Sequence, residues 1–204
     1  MSLEGKALSF GYRRKDRAVL DRVNLTLEPG ERLGLTAPSG RGKTTLCKLL
    51  AGYEKPKEGE VLLDGRPLAH GRGYCPVQMI WQHPETVVDP LMKLGDTLAE
   101  GWPVEQRVLD GLHIEPGWLE RYPMELSGGE LQRFCIARAL GPETRFLLCD
   151  EISTMLDLIT QAQIWNFLLE EAARRELGLL IVSHTPALLE RLCTRTQSLD
   201  QNSV

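Results

Sequence analysis

Nine consecutive residues, 37–45, combine a glycine-bearing turn with a lysine and two hydroxyl side chains. In order they are Ala37-Pro38-Ser39-Gly40-Arg41-Gly42-Lys43-Thr44-Thr45. Backbone N–H groups around small residues can surround an anion, and a helix that follows points its positive end at the same place. In a phosphate-binding loop the lysine reaches the outer phosphates and the first hydroxyl binds Mg²⁺. The stretch therefore predicts a cradle for nucleotide phosphates, with an ordinary strand-to-helix turn as the structural alternative.

The residues on either side suit such a loop, because Arg32–Thr36 has a strand pattern and Thr44–Ala51 a helical one. Ala37 departs from the usual pattern, which has glycine at the first loop position. Since a residue with a Cβ disfavours positive φ, we expect the turn to keep φ negative at Ala37.

Two acidic residues, Asp150 and Glu151, follow a run at 145–149 that predicts a buried parallel strand. Ligands bind at the carboxyl ends of strands in open α/β sheets. Asp150 is therefore suited to a Mg²⁺-bound water and Glu151 to polarising an attacking water, although two acids in a surface loop are the alternative. His184 follows a second apolar run at 179–182, where a γ-phosphate contact is favoured over a purely structural role.

Two other polar side chains follow predicted strands. Tyr12 comes after the strand at 7–10, where it either stacks on a purine ring or is simply exposed. Gln82 ends the apolar strand at 77–81 and either reaches a metal or water near the phosphates or is a polar strand terminator.

A second candidate anion site lies at 126–133, with the sequence LSGGELQR. Ser127 and Glu130 have the spacing of a capping box at the start of a helical run. The two glycines between them leave backbone N–H groups uncovered at the helix N-terminus, where an anion is stabilised.

The remaining segments predict the elements that position these side chains. Alternating patterns at 7–10 and 23–27 favour a small antiparallel layer, and 59–65 is a strand ended by an Asp-Gly turn. Asp157 lies in a loop, and the spacing of Thr160 and Gln163 predicts a capping box for the helix that follows.

Residues 84–125 differ in composition from the rest of the chain, because prolines and glycines separate several short helical patterns. The patterns cover Gly95–Glu100, Val104–Leu112 and Gly117–Tyr122. We interpret this segment as an inserted lobe, in which Trp102 and Trp118 pack the core rather than form a contact surface.

The 204-residue length predicts one α/β domain, with 1–83 and 126–204 as the catalytic core and 84–125 as the insert. A net charge of −4, from 24 basic and 28 acidic residues, gives no electrostatic case for a nucleic-acid partner. Without a membrane-spanning run or a secretory signal, the chain is expected to stay cytoplasmic. Its five cysteines include no Cys-x-x-Cys pair and predict reduced, packed thiols, although oxidation of Cys47 would offer a way to block nucleotide binding.

Taken in order, these motifs resemble the nucleotide-binding subunit of an ATP-binding cassette (ABC) transporter, and the resemblance covers nearly the whole chain. Many phosphate-loop proteins have a cradle and a strand ending in aspartate, whereas LSGGELQR at 126–133 is particular to the ABC family. The resemblance implies an α/β fold with a P-loop NTPase (RecA-like) core, an antiparallel β layer and an inserted α-helical lobe.

The resemblance also implies ATP and Mg²⁺ as cofactors. Residues 37–45, including Lys43, would hold the phosphates and Tyr12 would stack on adenine. The implied ligands of Mg²⁺ are Thr44, Gln82 and Asp150.

Catalysis would then depend on Glu151 as the general base or water-polarising group, with His184 at the γ-phosphate. Asp157 would link two active sites. The residues implied to close over the nucleotide of a second cassette, in a head-to-tail dimer, are Ser127, Gly128 and Gly129.

A narrower likeness is to the oligopeptide, dipeptide and nickel importer group. It is carried by QMIWQ at 78–82, VDP at 88–90, GDTLAE at 95–100 and the residues 125–138. This likeness implies an identical or paralogous second ATPase, transmembrane permease subunits on which the lobe docks, and an extracytoplasmic solute-binding protein. The chain would then be a peripheral protein on the cytoplasmic face of a prokaryotic membrane.

The sequence also departs from the family pattern. Residues 152–155 are Ile-Ser-Thr-Met where Pro-Thr-Ser-Ala is common, and Thr185 stands where aspartate often follows the histidine. We also expect the final turn-and-strand of larger relatives to be absent after residue 200. Two other functions remain open at this point: a soluble ABC-type ATPase subunit of a cytoplasmic enzyme complex, and a binding-only cassette of an asymmetric pair.

Overall fold

The fold combines two β-sheets with helices, and the computed structural model describes residues 2–12, 18–68, 74–154 and 156–199. Its strands are β1 (Leu3–Phe10), β2 (Leu20–Leu27), β3 (Arg32–Thr36), β4 (Glu58–Leu63), β5 (Arg66–Pro67), β6 (Val77–Ile80), β7 (Phe146–Asp150), β8 (Gly178–Val182) and β9 (Arg195–Ser198). Its α-helices are α1 (Lys43–Leu50), α2 (Leu94–Ala99), α3 (Gln106–Gly111), α4 (Gly128–Ala139), α5 (Leu158–Arg175) and α6 (Pro186–Leu192).

The larger sheet is parallel and has the strand order β6-β7-β8-β3-β9. The smaller sheet is antiparallel, with the order β2-β1-β4-β5. Because parallel strands end at one edge, the residues that follow β3, β6, β7 and β8 meet there. The predicted α/β core with an antiparallel layer is confirmed.

Two apolar layers cover the two faces of the parallel sheet, as the alternation along β7 shows. Leu147 and Cys149 belong to the layer that also contains apolar residues of α4, α5 and α6. Phe146 and Leu148 belong to the layer shared with α1 and the antiparallel sheet. A strand buried on both faces gives its acidic carboxyl end a fixed position.

The inserted segment contains α2 and α3, which were predicted from the helical patterns. The third pattern, Gly117–Tyr122, is wrong as a helix, because only a 3-10 turn forms there, at Pro116–Trp118. Trp118 is buried in the core as expected, and Trp102 packs edge-on against Tyr74 with ring centroids 4.3 Å apart.

The segment is tied to the core by an ion pair between Arg107 on α3 and Glu171 on α5. The Glu171 side chain is 0% exposed, so its charge is balanced inside the protein.

Helix α5 begins earlier than the sequence pattern suggests. The predicted capping box at Thr160 and Gln163 is wrong, because Asp157 is the N-cap and its carboxylate accepts hydrogen bonds from the N–H groups of Ile159 and Thr160.

The edge strand β9 was not predicted from the sequence; it pairs with β3 in parallel. The predicted absence of a turn-and-strand beyond residue 200 concerns residues outside the described ranges. Among the described residues, no helix is both long and apolar enough to cross a membrane.

Candidate functional site

The phosphate cradle is a loop between the end of β3 and the start of α1. Gly40 and Gly42 have φ values of 76° and 90°, in the region that favours glycine. At Gly42 a Cβ would also lie 2.9 Å from side-chain atoms of Val19 and Leu20, so a larger residue does not fit. Ala37 keeps φ negative, as expected, and its Cβ is therefore compatible with the turn.

Lys43 is the first residue of α1, and its side chain folds back over the cradle. The residue is only 6% exposed. Its Nζ donates hydrogen bonds to the carbonyl oxygens of Ala37, at 2.7 Å, and Pro38, at 3.4 Å. The ammonium is therefore held directly beside the N-terminus of α1, where a phosphate is attracted by both.

A cleft of about 430 Å³ opens over the cradle. Its lining residues are Tyr12, Val19, Ser39, Gly40, Gly42, Lys43, Thr44, Thr45, Gln82, Glu151 and His184. Ala37 and Pro38 instead line an adjoining hollow that His184 also borders, and Arg41 is exposed. The structure thus brings most of the predicted nucleotide and catalytic residues to one place.

Tyr12 stands at the edge of the cleft, 58% exposed. Its hydroxyl is 3.2 Å from Thr45 Oγ1, and its ring meets that of Phe10 edge-on at 5.1 Å. The ring is therefore fixed at one edge while it remains accessible for stacking.

The predicted metal ligands supply hard oxygen atoms. Asp150 is buried, and its Oδ1 has no hydrogen-bond partner among the described residues. Burial raises the pKa of the Asp150 carboxyl, while a hydrogen bond with the Thr44 side chain acts in the opposite direction. Gln82 lies in the same cleft as Thr44. A buried carboxylate oxygen without a partner, next to the Thr44 hydroxyl, fits Mg²⁺.

Glu151 and His184 are in direct contact. His184 Nε2 lies 2.6 Å from Glu151 Oε1. Glu151 has φ of 53°, which is uncommon for a residue with a side chain, and its N–H donates to the carbonyl of Val182 at 3.1 Å. The two residues follow the neighbouring strands β7 and β8, and their carboxylate and imidazole face the cradle together.

This geometry agrees with comparison to known proteins. The family profile described as ABC transporter matches residues 20–154. The chain belongs to the ABC transporter family. It is an ABC-type ATPase.

Curated relatives align with almost the whole of this ABC chain. Nickel import ATP-binding protein NikE of Rhodospirillum rubrum is 34% identical, over 98% of this chain and 78% of the relative. The protein of the same name from Escherichia coli strain K12 is 33% identical, over 96% of this chain and 80% of the relative. A solved structure described as the ATP binding subunit of an ABC transporter has a TM-score of 0.84 and 26% identity, covering 97% of this chain and 85% of that one.

Ser127, Gly128 and Gly129 of this ABC chain do not line the cleft over the cradle. They begin α4 with the predicted capping box: Ser127 Oγ accepts from Glu130 N–H at 3.3 Å, and Glu130 Oε2 accepts from Ser127 N–H at 2.7 Å. Asp157 is also outside the cleft, at the start of α5, where hydrogen bonding by Thr160 lowers its pKa.

Sequence reasoning missed two features of the ABC site. It predicted Glu151 and His184 separately, because the contact depends on the register of β7 against β8. It also gave Ser153 no role, whereas the Ser153 hydroxyl is buried and bonded to two side chains of α5. The signal available in the sequence was a tryptophan and a glutamine four residues apart on a predicted helix.

Proposed function

We propose that this chain is the ATP-hydrolysing subunit of a solute importer and works as one of two cassettes on the cytoplasmic face of a prokaryotic membrane. The proposed solutes are peptides, nickel or metal chelates. Support comes from the names of the curated relatives and from the motifs at 78–100 that resemble the same importer group. The proposed partners are permease subunits, a second identical or paralogous cassette and an extracytoplasmic solute-binding protein.

The observation that carries the proposal is the position of the LSGG motif outside the cleft. Gly128 is exposed, and nothing lies within 4 Å of the place where a Cβ would stand. Its N–H group is one of the uncovered donors at the N-terminus of α4, a helix of 12 residues. A candidate anion site that is exposed and does not line the cleft of its own chain supports a role on the nucleotide of a second cassette.

Within one cassette, the proposed roles follow from the contacts. Lys43 and the cradle N–H groups bind the β- and γ-phosphates, and Tyr12 stacks on adenine. Thr44, Gln82 and Asp150 would hold Mg²⁺, which supplies positive charge against the phosphates when bound. Asp157, at the exposed N-terminus of α5, is proposed to link the two sites of the dimer.

Glu151 is proposed to orient the attacking water and accept its proton, and His184 to contact the γ-phosphate. Their 2.6 Å contact keeps the carboxylate at the mouth of the cradle before ATP arrives. Phosphoryl transfer depends mostly on such positioning and on charge stabilisation.

Mixing two inactive variants tests the composite site. Lys43→Met should abolish ATP binding, whereas Gly128→Asp should leave ATP bound to its own chain but abolish hydrolysis. In a mixed dimer, one of the two sites combines the intact cradle of the Gly128→Asp chain with the intact Gly128 of the Lys43→Met chain, and the other site contains both altered residues. Phosphate release should therefore recover when the two variants are mixed. Gly117→Asp, which changes another exposed glycine with open space around it, is the matched control and should behave as wild type.

A mixture as inactive as either variant would mean that two copies of this chain do not build the site. Loss of ATP binding in Gly128→Asp would mean that the LSGG motif acts on its own cradle. Purification from membranes then tests the importer: permease subunits with several hydrophobic helices should accompany the chain, whereas soluble enzymes would favour the cytoplasmic-complex alternative.

A further inference from the structure

The loop from Glu151 to Asp157 connects the catalytic carboxylate to the start of α5. At one end, Glu151 has the left-handed backbone conformation, which persists only when its surroundings hold it. Thr154 supports it locally, since its N–H and its hydroxyl both donate to the Glu151 carbonyl, at 3.2 and 2.8 Å. The Thr154 contacts lie within the loop, whereas the Glu151 N–H donates to the Val182 carbonyl at 3.1 Å and ties this end of the loop to β8.

Ser153 provides a link to α5. Its side chain is 7% exposed, and its Oγ accepts hydrogen bonds from Trp165 Nε1 at 3.1 Å and Gln161 Nε2 at 3.2 Å. Positions 161 and 165 are one helical turn apart, so both donors lie on the same face of α5. A hydroxyl oxygen has two acceptor sites, and both are used here.

Helix α5 is a firm support for these two donors. It is 18 residues long, and Trp165, at 3% exposed, packs in the core with Ile164 and Phe167. Because an indole N–H is only a donor and is costly to bury without a partner, Trp165 favours one position of the Ser153 oxygen.

We propose that Trp165, assisted by Gln161, is a positioning residue for ATP hydrolysis that acts through Ser153 to set the direction of the Glu151 carboxylate. This role rests on the proposed function of Glu151. The phosphate cradle belongs to a different segment, so loosening the Ser153 link should slow hydrolysis and leave ATP binding intact.

The experiment measures kcat, KM and the equilibrium Kd for ATP in the full chain, at concentrations where the wild type reaches its maximal specific activity. Ser153→Ala and Trp165→Phe should each lower kcat about 10- to 100-fold, the range expected for a catalytic group displaced by up to about 1 Å. The Kd should stay within about twofold, since cradle contacts are unchanged. Ser153→Thr keeps the hydroxyl and should restore kcat, and Asn166→Ala, beside Trp165 on the exposed side of α5, is the matched control.

The double variant Ser153→Ala with Trp165→Phe distinguishes the loss of one shared interaction from two independent effects on activity. If both substitutions break the same hydrogen bond, the double variant should lose no more activity than the more impaired of the two single variants. If their effects are independent, the two fold-losses in kcat should multiply. Multiplied losses, a parallel loss of ATP affinity, or near-normal kcat in either single variant would overturn the proposal.

Gln161→Leu gives a third measurement if Ser153→Ala fails to fold: a lowered kcat with intact ATP binding supports the link, and a normal kcat together with normal Trp165→Phe overturns it. Glu151→Gln, run in parallel, separates this proposal from the proposed function. Full activity in Glu151→Gln would refute the role of Glu151 itself, while an inactive Glu151→Gln with normal Ser153 and Trp165 variants would refute only the positioning.

Discussion

Replacing Glu151 with glutamine should stop hydrolysis without disturbing the site. Glutamine has nearly the same shape, and its amide oxygen can still accept a hydrogen bond from His184 Nε2, which lies 2.6 Å from Glu151 Oε1. The substitution therefore removes the charge and proton affinity of the carboxylate and little else. A positioned base contributes about 10²- to 10⁴-fold to the rate, which corresponds to about 2.7–5.4 kcal/mol at about 1.36 kcal/mol per decade.

We expect the phosphate release rate at saturating Mg-ATP to fall by that factor, while the Kd for ATP is unchanged or lower because a negative charge near the phosphates is removed. Glu190→Gln, an exposed acid on α6, is the control for a change of net charge. Hydrolysis by Glu151→Gln within about tenfold of the wild type, with the control unaffected, would refute the assignment of the base.

Three further substitutions test other parts of the structure. Tyr12→Ala should weaken ATP binding about tenfold, by losing base stacking worth about 1–3 kcal/mol, with kcat at saturating ATP retained; equal affinity in a titration would remove Tyr12 from the adenine site. Glu171→Ala should lower the free energy of unfolding in urea by about 1.5–3 kcal/mol, the range for hydrogen bonds to charged groups, because its two partners Arg107 and Arg174 are half-exposed and can return to water; a change below about 1 kcal/mol would mean that the pairs are not needed. Hydrogen bonding from Arg145 lowers the pKa of Asp64 below its ordinary value of 3.8. The stabilisation from this pair is therefore present above pH 3.8 and is lost as the pH falls through the lowered pKa. Asp64→Asn should cost about 0.5–1 kcal/mol of unfolding free energy near neutral pH, and a cost that persists in acid would contradict this reasoning.

Local patterns were sufficient to predict the cradle and the acidic end of β7. A glycine with positive φ, a lysine and a hydroxyl must be adjacent for a phosphate loop to work, so the residues that make the cradle are also the residues that mark it in the sequence. Asp150 and Glu151 were predictable for a similar reason, because a run of apolar residues that ends abruptly in two acids has few positions available in an α/β fold.

Two parts escaped prediction: a choice between two possible helix caps close together in the chain, and a strand that pairs with residues far from it in the chain. The start of α5 was placed at Thr160 because its spacing to Gln163 fits a capping box, yet Asp157 caps the helix one turn earlier, where its carboxylate accepts from the N–H groups of Ile159 and Thr160. Strand β9 is polar and exposed along most of its length, and it is a strand because β3 presents an unpaired edge. No local pattern contains that information.

The resting position of Lys43 has a consequence for how ATP is captured. An ammonium in water must lose part of its hydration shell before it can touch a phosphate, and that loss opposes binding. In this chain the Nζ is already withdrawn from solvent and satisfied by two carbonyl oxygens of its own loop. Arriving phosphates thus meet a cation whose dehydration was completed when the protein folded, and the energy that would have been spent stripping its water is available to hold the nucleotide.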